Sequence, residues 1–117
     1  MGKIIYADHS ATTYVKDEVL KEMLPYFTLN YGNPSSAYSI GRVSKEAVEK
    51  ARIKVAKAIG AESNEIYFTA GGSESDNMII KGIARANKSK GKHIITTKIE
   101  HHAILHTAEF LETKGVD

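Results

Sequence analysis

A chain of 117 residues has room for one small domain. It is 42% hydrophobic and 26% charged, as ordinary soluble globular proteins are, and its formal net charge is +2 with no long run of one sign. That balance excludes the basic face of a nucleic-acid binder and a polybasic membrane signal. With no cysteine, the chain has no disulfide, no thiolate metal site and no thiol nucleophile within these residues. The apolar run at Ile4 and Ile5 is far too short for a signal peptide or a membrane span. Tyr6 stands where a myristoylation signal needs Ser or Thr. The expected location is the cytoplasm. No internal repeat or low-complexity tract is present.

Lys3 to Ala7 reads as a short strand and Asp8 to Thr13 as a small polar loop. Val15, Val19, Leu20, Met23, Leu24 and Phe27 then recur at helical spacing, with Pro25 in the last turn helping to end the helix. Asn30 to Ser36 is the clearest loop, dominated by Gly, Asn, Pro and Ser. A long second helix carries Ile40, Val43, Ala47, Val48, Ala51, Val55, Ala58 and Ile59, and Gly60 is its natural stop. Glu46 and Lys50 on it stand four apart in the favourable order. Glu65 to Phe68 reads as a strand. A third helix starts at Ser73 or Glu74, carries Met78, Ile79, Ile80, Ile83 and Ala84 inward, and ends at Asn87 to Gly91. Lys92 to Thr97 is expected as a buried strand. A fourth helix follows with Ile104, Leu105, Ala108 and Leu111, and Lys114-Gly115 stops it. Val116-Asp117 looks like the start of another strand. The alternation predicts an α/β class with mostly parallel strands, where ligands bind beyond the strands' C-terminal ends.

Two such ends carry chemistry. After Phe68, the run Thr69-Ala70-Gly71-Gly72-Ser73-Glu74 joins a strand to a helix. Glycines let a backbone approach a ligand closely, and the helix start offers unpaired N–H groups and a positive dipole end. That is an anion site in outline, although from the local pattern alone a plain tight turn with Ser73 as helix cap is the commoner reading. Neither a P-loop nor a dinucleotide fingerprint is present. The second end is Glu100-His101-His102. His101 stands where a ligand would sit, and imidazole changes charge near neutral pH. His102 and His106, four apart on a helix, have no third ligand beside them, so they read as a solvated face and no metal is expected. His93 reads as a polar residue at a strand start, and from pattern alone the structural reading of His101 stands slightly ahead of the catalytic one.

Taken together, four stretches resemble the N-terminal part of a cysteine desulfurase, in the class V aminotransferase group of pyridoxal-phosphate (PLP) enzymes. They are Tyr6 to Thr13; Tyr31 to Ser36 with Gly41-Arg42; Phe68 to Asn77; and Lys90 to Thr96 with Glu100-His101. The resemblance covers essentially the whole chain. It implies an α/β fold, a partial large domain of the fold-type I PLP-dependent transferase architecture, with a mostly parallel sheet and flanking helices. Residues 1–14 would form an N-terminal strand and substrate-side loop. Residues 15–117 would form the first helices and the first part of the PLP-binding domain. The implied reaction takes sulfur from L-cysteine, giving L-alanine and an enzyme-bound persulfide for iron–sulfur cluster assembly or related transfer. Gly72 and Ser73 would hold the PLP phosphate, His101 would stack on the pyridine ring and move protons, and Ala11, Thr12, Thr13 and Asn33 would lie near the substrate. Other class V enzymes, such as a selenocysteine lyase or an aminotransferase, and a non-catalytic interaction module, are alternatives.

The chain departs from the family pattern at three positions. Tyr14 replaces a common Pro, Tyr38 a usual His, and Gly72 a usual Ala, a change expected to loosen the phosphate turn. The lysine that carries the cofactor, the Asp facing the pyridine nitrogen, the persulfide Cys and the Arg for the substrate carboxylate would all lie beyond residue 117. These residues alone are therefore expected to be inactive. The complete enzyme is expected to be a homodimer working with an iron–sulfur scaffold or another sulfur acceptor, with no nucleic acid and no membrane. Bottom-up, the strands at 65–68 and 92–97 would be neighbours joined by a right-handed crossover. The resemblance instead implies a seven-stranded sheet in which strands from later sequence separate them. Ile79, Ile83, Ile94 and Leu105 would then be left without cover.

Overall fold

The computed structural model describes residues 4–117. The expected strand at Lys3 to Ala7 therefore lies partly outside the described residues. The chain divides into two compact units, residues 1–66 and 67–117.

In the first unit, α1 spans Asp17–Met23 and α2 spans Pro25–Thr28. The single helix expected from Val15 is thus split. Pro25 takes the first position of α2, where its missing N–H costs nothing, and α1 stops directly before it, with Leu24 as its C-cap. The long helix is present as α3, Ser39–Ile59, and Gly60 caps it in the left-handed conformation at φ 72°. Its buried residues are Gly41, Ser44 and Ala56, all small. The Ser44 hydroxyl donates to the Asn30 carbonyl at 3.0 Å, holding the loop before α3 against it. The ion pair on α3 joins Arg52 Nε to Glu49 Oε1 at 3.2 Å, and Arg52 also donates to the Ile66 carbonyl. Glu65, expected in a strand, closes the short 3-10 turn Ser63–Glu65, and its carboxylate accepts from the Glu62 N–H at 2.8 Å. Ile66 is extended.

In the second unit, α4 spans Gly72–Ala86 and α5 spans His102–Glu112. The two pack on each other. Thr107 of α5 donates to Asn77 of α4 at 2.9 Å, and Lys81 of α4 lies over the Phe110 ring of α5 at 4.8 Å. Both contacts advance toward the C-terminus together, so α4 and α5 run parallel. Parallel helices that follow one another in a βα chain put their N-termini at one end. Gly71, the N-cap of α4, and His101, the N-cap of α5, each precede the Asn77–Thr107 contact by six residues, roughly 9 Å of helix. The two expected ligand ends therefore lie at the same end of one helix pair.

Among the described residues no segment is assigned as a strand. One rung of sheet is nonetheless present. The Ile94 N–H donates to the Asp117 carbonyl and the Asp117 N–H to the Lys92 carbonyl, both at 2.7 Å. That alternation across one residue is the parallel pattern, and it pairs the expected strand 92–97 with the strand beginning at Val116-Asp117. A strand is defined by its ladder, and within these residues the ladder has too few rungs to register.

Burial follows from the same shortage. Thr107 and Leu111 are buried in α5, yet Met78, Ile79 and Ile83 of α4, expected inward, are exposed, Ile79 and Ile83 at 53% and 59%. The segment 92–97, expected buried, leaves Ile95 88% exposed, and only Ile94 is half-buried. Leu105 is half-buried. The apolar stripes are where periodicity puts them, but little packs on them. Residues 1–117 purified alone are therefore expected to associate through these faces. Light scattering would show this, and a stable monomer with slowly exchanging amides along 92–97 would contradict it.

Candidate functional site

The turn before α4 is built by its own side chains. The Thr69 hydroxyl is 2.6 Å from the Ser75 hydroxyl and donates toward the Gly71 carbonyl at 3.2 Å. The Glu74 carboxylate reaches back and accepts the Ala70 N–H at 2.6 Å. These contacts pin 69–71 to the first turn of the helix. They also tie the Glu74 charge to the backbone on the strand side. Gly71, with φ 169° and ψ 177°, is extended, and neither Gly71 nor Gly72 lies in the left-handed region. Glycine is thus not required here by left-handed backbone. What it provides is openness: a Cβ on either residue would meet nothing within 4 Å. Alanine at position 72 would fit equally well, so the Gly72 departure leaves the turn geometry intact.

Ser73 was one candidate for the helix cap, and α4 has no side-chain cap. Its hydroxyl makes no hydrogen bond among the described residues. The first backbone bond into this helix runs from the Ser75 N–H to the Gly71 carbonyl at 3.2 Å. The N–H groups of Gly72 and Ser73 precede it, at the positive end of a four-turn helix. A free hydroxyl beside unpaired amides in an open turn is a donor set suited to a phosphate. The residues present therefore fit the group that the sequence implies.

His101 is the N-cap of α5, and its Nδ1 accepts the Ala103 N–H at 3.1 Å. With Nδ1 an acceptor, the neutral ring carries its hydrogen on Nε2, the nitrogen left free to meet a ligand. The capping role and a ligand role are compatible, since they use different ring atoms. His102, the first residue of α5, stacks on His106 at a centroid distance of 5.3 Å. No group of three metal-ligating side chains occurs among the described residues.

The substrate-side candidates belong to the first unit. Ala11, Thr12 and Thr13 are exposed in a loop whose turn is closed by the Ala11 N–H on the Asp8 carbonyl at 3.2 Å. Asn33 Oδ1 accepts the Ser35 N–H at 2.8 Å, and its carbonyl accepts the Ser36 N–H at 3.0 Å. Its side-chain oxygen thus builds its own turn, leaving the amide NH₂ for anything else. The second unit holds Gly72, Ser73 and His101 together at one end of α4 and α5. Sequence reasoning missed Thr69, Ser75 and Glu74 as the frame of the turn, and Asn77 and Thr107 as the tie between the helices. The cluster of hydroxyls around two glycines was a signal for the former. Nothing in the sequence marks a partner thirty residues away.

The family description "Aminotransferase class-V" matches residues 5–117, and the chain belongs to that family. It is 68% identical over 115 residues to the cysteine desulfurase IscS of Clostridium botulinum strain Hall, covering 98% of this chain and 29% of that protein. It is 63% identical over 116 residues to the IscS of Methanosarcina thermophila, covering 99% of this chain and 29% of that one. Its backbone superposes on a NifS-like protein with a TM-score of 0.87 at 44% identity, covering 94% of this chain and 30% of the other. The chain thus spans under a third of the length of the relatives it matches.

Proposed function

We propose that this chain is the N-terminal part of a cysteine desulfurase, a PLP enzyme that moves sulfur from L-cysteine onto an enzyme cysteine and releases L-alanine. The observation that carries the reading is the pairing of an uncapped α4 N-terminus, with a free Ser73 hydroxyl, and His101 at the same end of the helix pair. The identity to desulfurases over almost all of these residues supports it. Residues 15–117 serve as the first part of a PLP-binding domain of fold-type I, its mostly parallel sheet completed by strands from outside these residues, and 1–14 as a substrate-side segment. The complete enzyme is a cytoplasmic homodimer that delivers sulfur to an iron–sulfur scaffold or another acceptor protein. No helix among the described residues is long and apolar enough to cross a membrane.

When bound, PLP supplies the electron sink for bond breaking at the substrate. This chain's own residues do the holding and the proton handling. The amides of Gly72 and Ser73 and the Ser73 hydroxyl would hold the phosphate dianion. The α4 dipole adds to that attraction. His101 would meet the cofactor ring and orient it, and would hold or move a proton at Nε2 while Nδ1 stays on the Ala103 amide. Ala11, Thr12, Thr13 and the Asn33 amide bound the substrate side. The lysine that links the cofactor and the cysteine that accepts sulfur come from outside these 117 residues.

The test is PLP uptake by the full-length enzyme, followed by visible absorbance. Ser73→Ala removes one hydrogen bond to a charged group and is expected to weaken PLP binding by about 1.5–3 kcal/mol. Wild-type affinity in that variant would sink the phosphate assignment.

A further inference from the structure

Asn77 and Thr107 belong to neither the phosphate turn nor the histidine, yet they join the helices that carry both. Thr107 is 2% exposed. Its hydroxyl has one hydrogen and two acceptors, the Ala103 carbonyl at 2.7 Å and Asn77 Oδ1 at 2.9 Å. Asn77 Nδ2 donates to the Ser73 carbonyl at 2.9 Å, and Lys81 Nζ donates to Asn77 Oδ1 at 2.6 Å. Ala103 in turn gives its N–H to His101 Nδ1. Through that one hydroxyl hydrogen, shared between the two acceptors, hydrogen-bonded contacts run from Ser73 through Asn77, Thr107 and Ala103 to His101. The two N-caps sit six residues before the Asn77–Thr107 contact on parallel helices. A slip of one helix along the other would separate the phosphate turn from the histidine by the same distance.

We propose that Asn77 and Thr107 are positioning residues of the cofactor site: their half-buried hydrogen bond locks the register of α4 against α5, and so fixes His101 relative to Gly72 and Ser73. The proposal rests on the PLP reading of those residues. An apolar contact would hold the helices together but would tolerate sliding. A directional bond between two short side chains does not. Asn77 also ties this lock to the Ser73 carbonyl, within the residue whose hydroxyl faces the phosphate.

The test uses the full-length enzyme and two substitutions at one position. Thr107→Val keeps the shape and removes the hydroxyl. It orphans no acceptor, because Lys81 still donates to Asn77 Oδ1 and the Ala103 carbonyl keeps its helical N–H donor, so the variant is expected to fold. Thr107→Ser keeps the hydroxyl and gives up a methyl group. For Thr107→Val we expect kcat to fall about tenfold with KM for cysteine nearly unchanged. PLP titration should also weaken, and amide exchange should speed up in the first turn of α5, Ala103 included. Thr107→Ser should restore all three even with a lower melting temperature. Wild-type kcat, PLP affinity and exchange in Thr107→Val would overturn the proposal, as would Thr107→Ser failing in the same way as Thr107→Val, which would make side-chain volume the cause. If the native enzyme takes up no PLP, the phosphate reading of Gly72 and Ser73 falls. The exchange comparison of the two variants, made without PLP, then decides separately whether the helices are locked through this hydroxyl.

Discussion

Replacing His101 with alanine in the full-length enzyme is expected to lower kcat for alanine release from cysteine by about 10²–10⁴-fold, the range supplied by a positioned acid or base. Two losses combine in that number. On the proposed reading, the ring that would orient the cofactor is gone, and so is the proton carrier at Nε2. A third effect is structural: Nδ1 caps α5 through the Ala103 N–H, and losing an N-cap costs about 1 kcal/mol. His101→Asn separates these effects, because asparagine is a strong N-cap that carries no titratable ring. It is expected to restore the melting temperature while kcat stays low. His102→Ala is the second control. His102 stacks on His106 on an exposed face, and its removal is expected to leave kcat within about twofold, as for a surface substitution. If His102→Ala were the damaging change and His101→Ala the mild one, the assignment of the cofactor histidine would be wrong.

Periodicity and stop signals located α3, α4 and α5 to within a residue or two, because these helices are long, strongly patterned and ended by Gly60, Asn87 and Gly115. Where local rules compete, sequence reading did less well. Pro25 is compatible with a helix end or a helix start, and only the observed backbone shows that it opens α2. Ser73 was a fair candidate cap, but Thr69, Ser75 and Glu74 build the turn without it and leave its hydroxyl free. Burial was the least legible property. An apolar stripe tells which face seeks a partner, and Ile79, Ile83 and Ile95 show that the partner is not within these residues. The strands fail for the same reason. A helix closes its hydrogen bonds within itself, whereas a strand needs neighbours, and segment 92–97 shows only its parallel rung to Asp117. For the site, the resemblance pointed to Gly72, Ser73 and His101. That they share one end of a helix pair follows from Asn77 meeting Thr107, which no local pattern encodes.

Gly41→Ala is expected to destabilise the enzyme by about 1–3 kcal/mol, although alanine is the better helix former by about 1 kcal/mol. Gly41 lies in the first turn of α3 and is buried. A Cβ there would come within 2.5 Å of the Ser36 carbonyl oxygen and 2.6 Å of the Asn33 carbonyl oxygen. Both obstacles are backbone atoms of the turn that the Ser36 N–H and Asn33 Oδ1 hold closed, so neither can swing aside as a side-chain tip would. Steric cost therefore outweighs helix propensity, and the turn must move off α3. Gly82→Ala in α4 is the matched control: it too sits within a helix, a Cβ there would meet nothing within 4 Å, and the substitution is expected to stabilise by about 0.5–1 kcal/mol. Opposite shifts in melting temperature for two helical glycines would isolate packing of the Asn33 turn as the cause. On the proposed substrate-side reading of Asn33, which that turn carries, Gly41→Ala is also expected to raise KM for cysteine, with PLP uptake through Gly72, Ser73 and His101 unchanged. A Gly41→Ala enzyme with wild-type stability would show that the turn yields freely, and weakened PLP uptake with an unchanged KM would remove Asn33 from the substrate side.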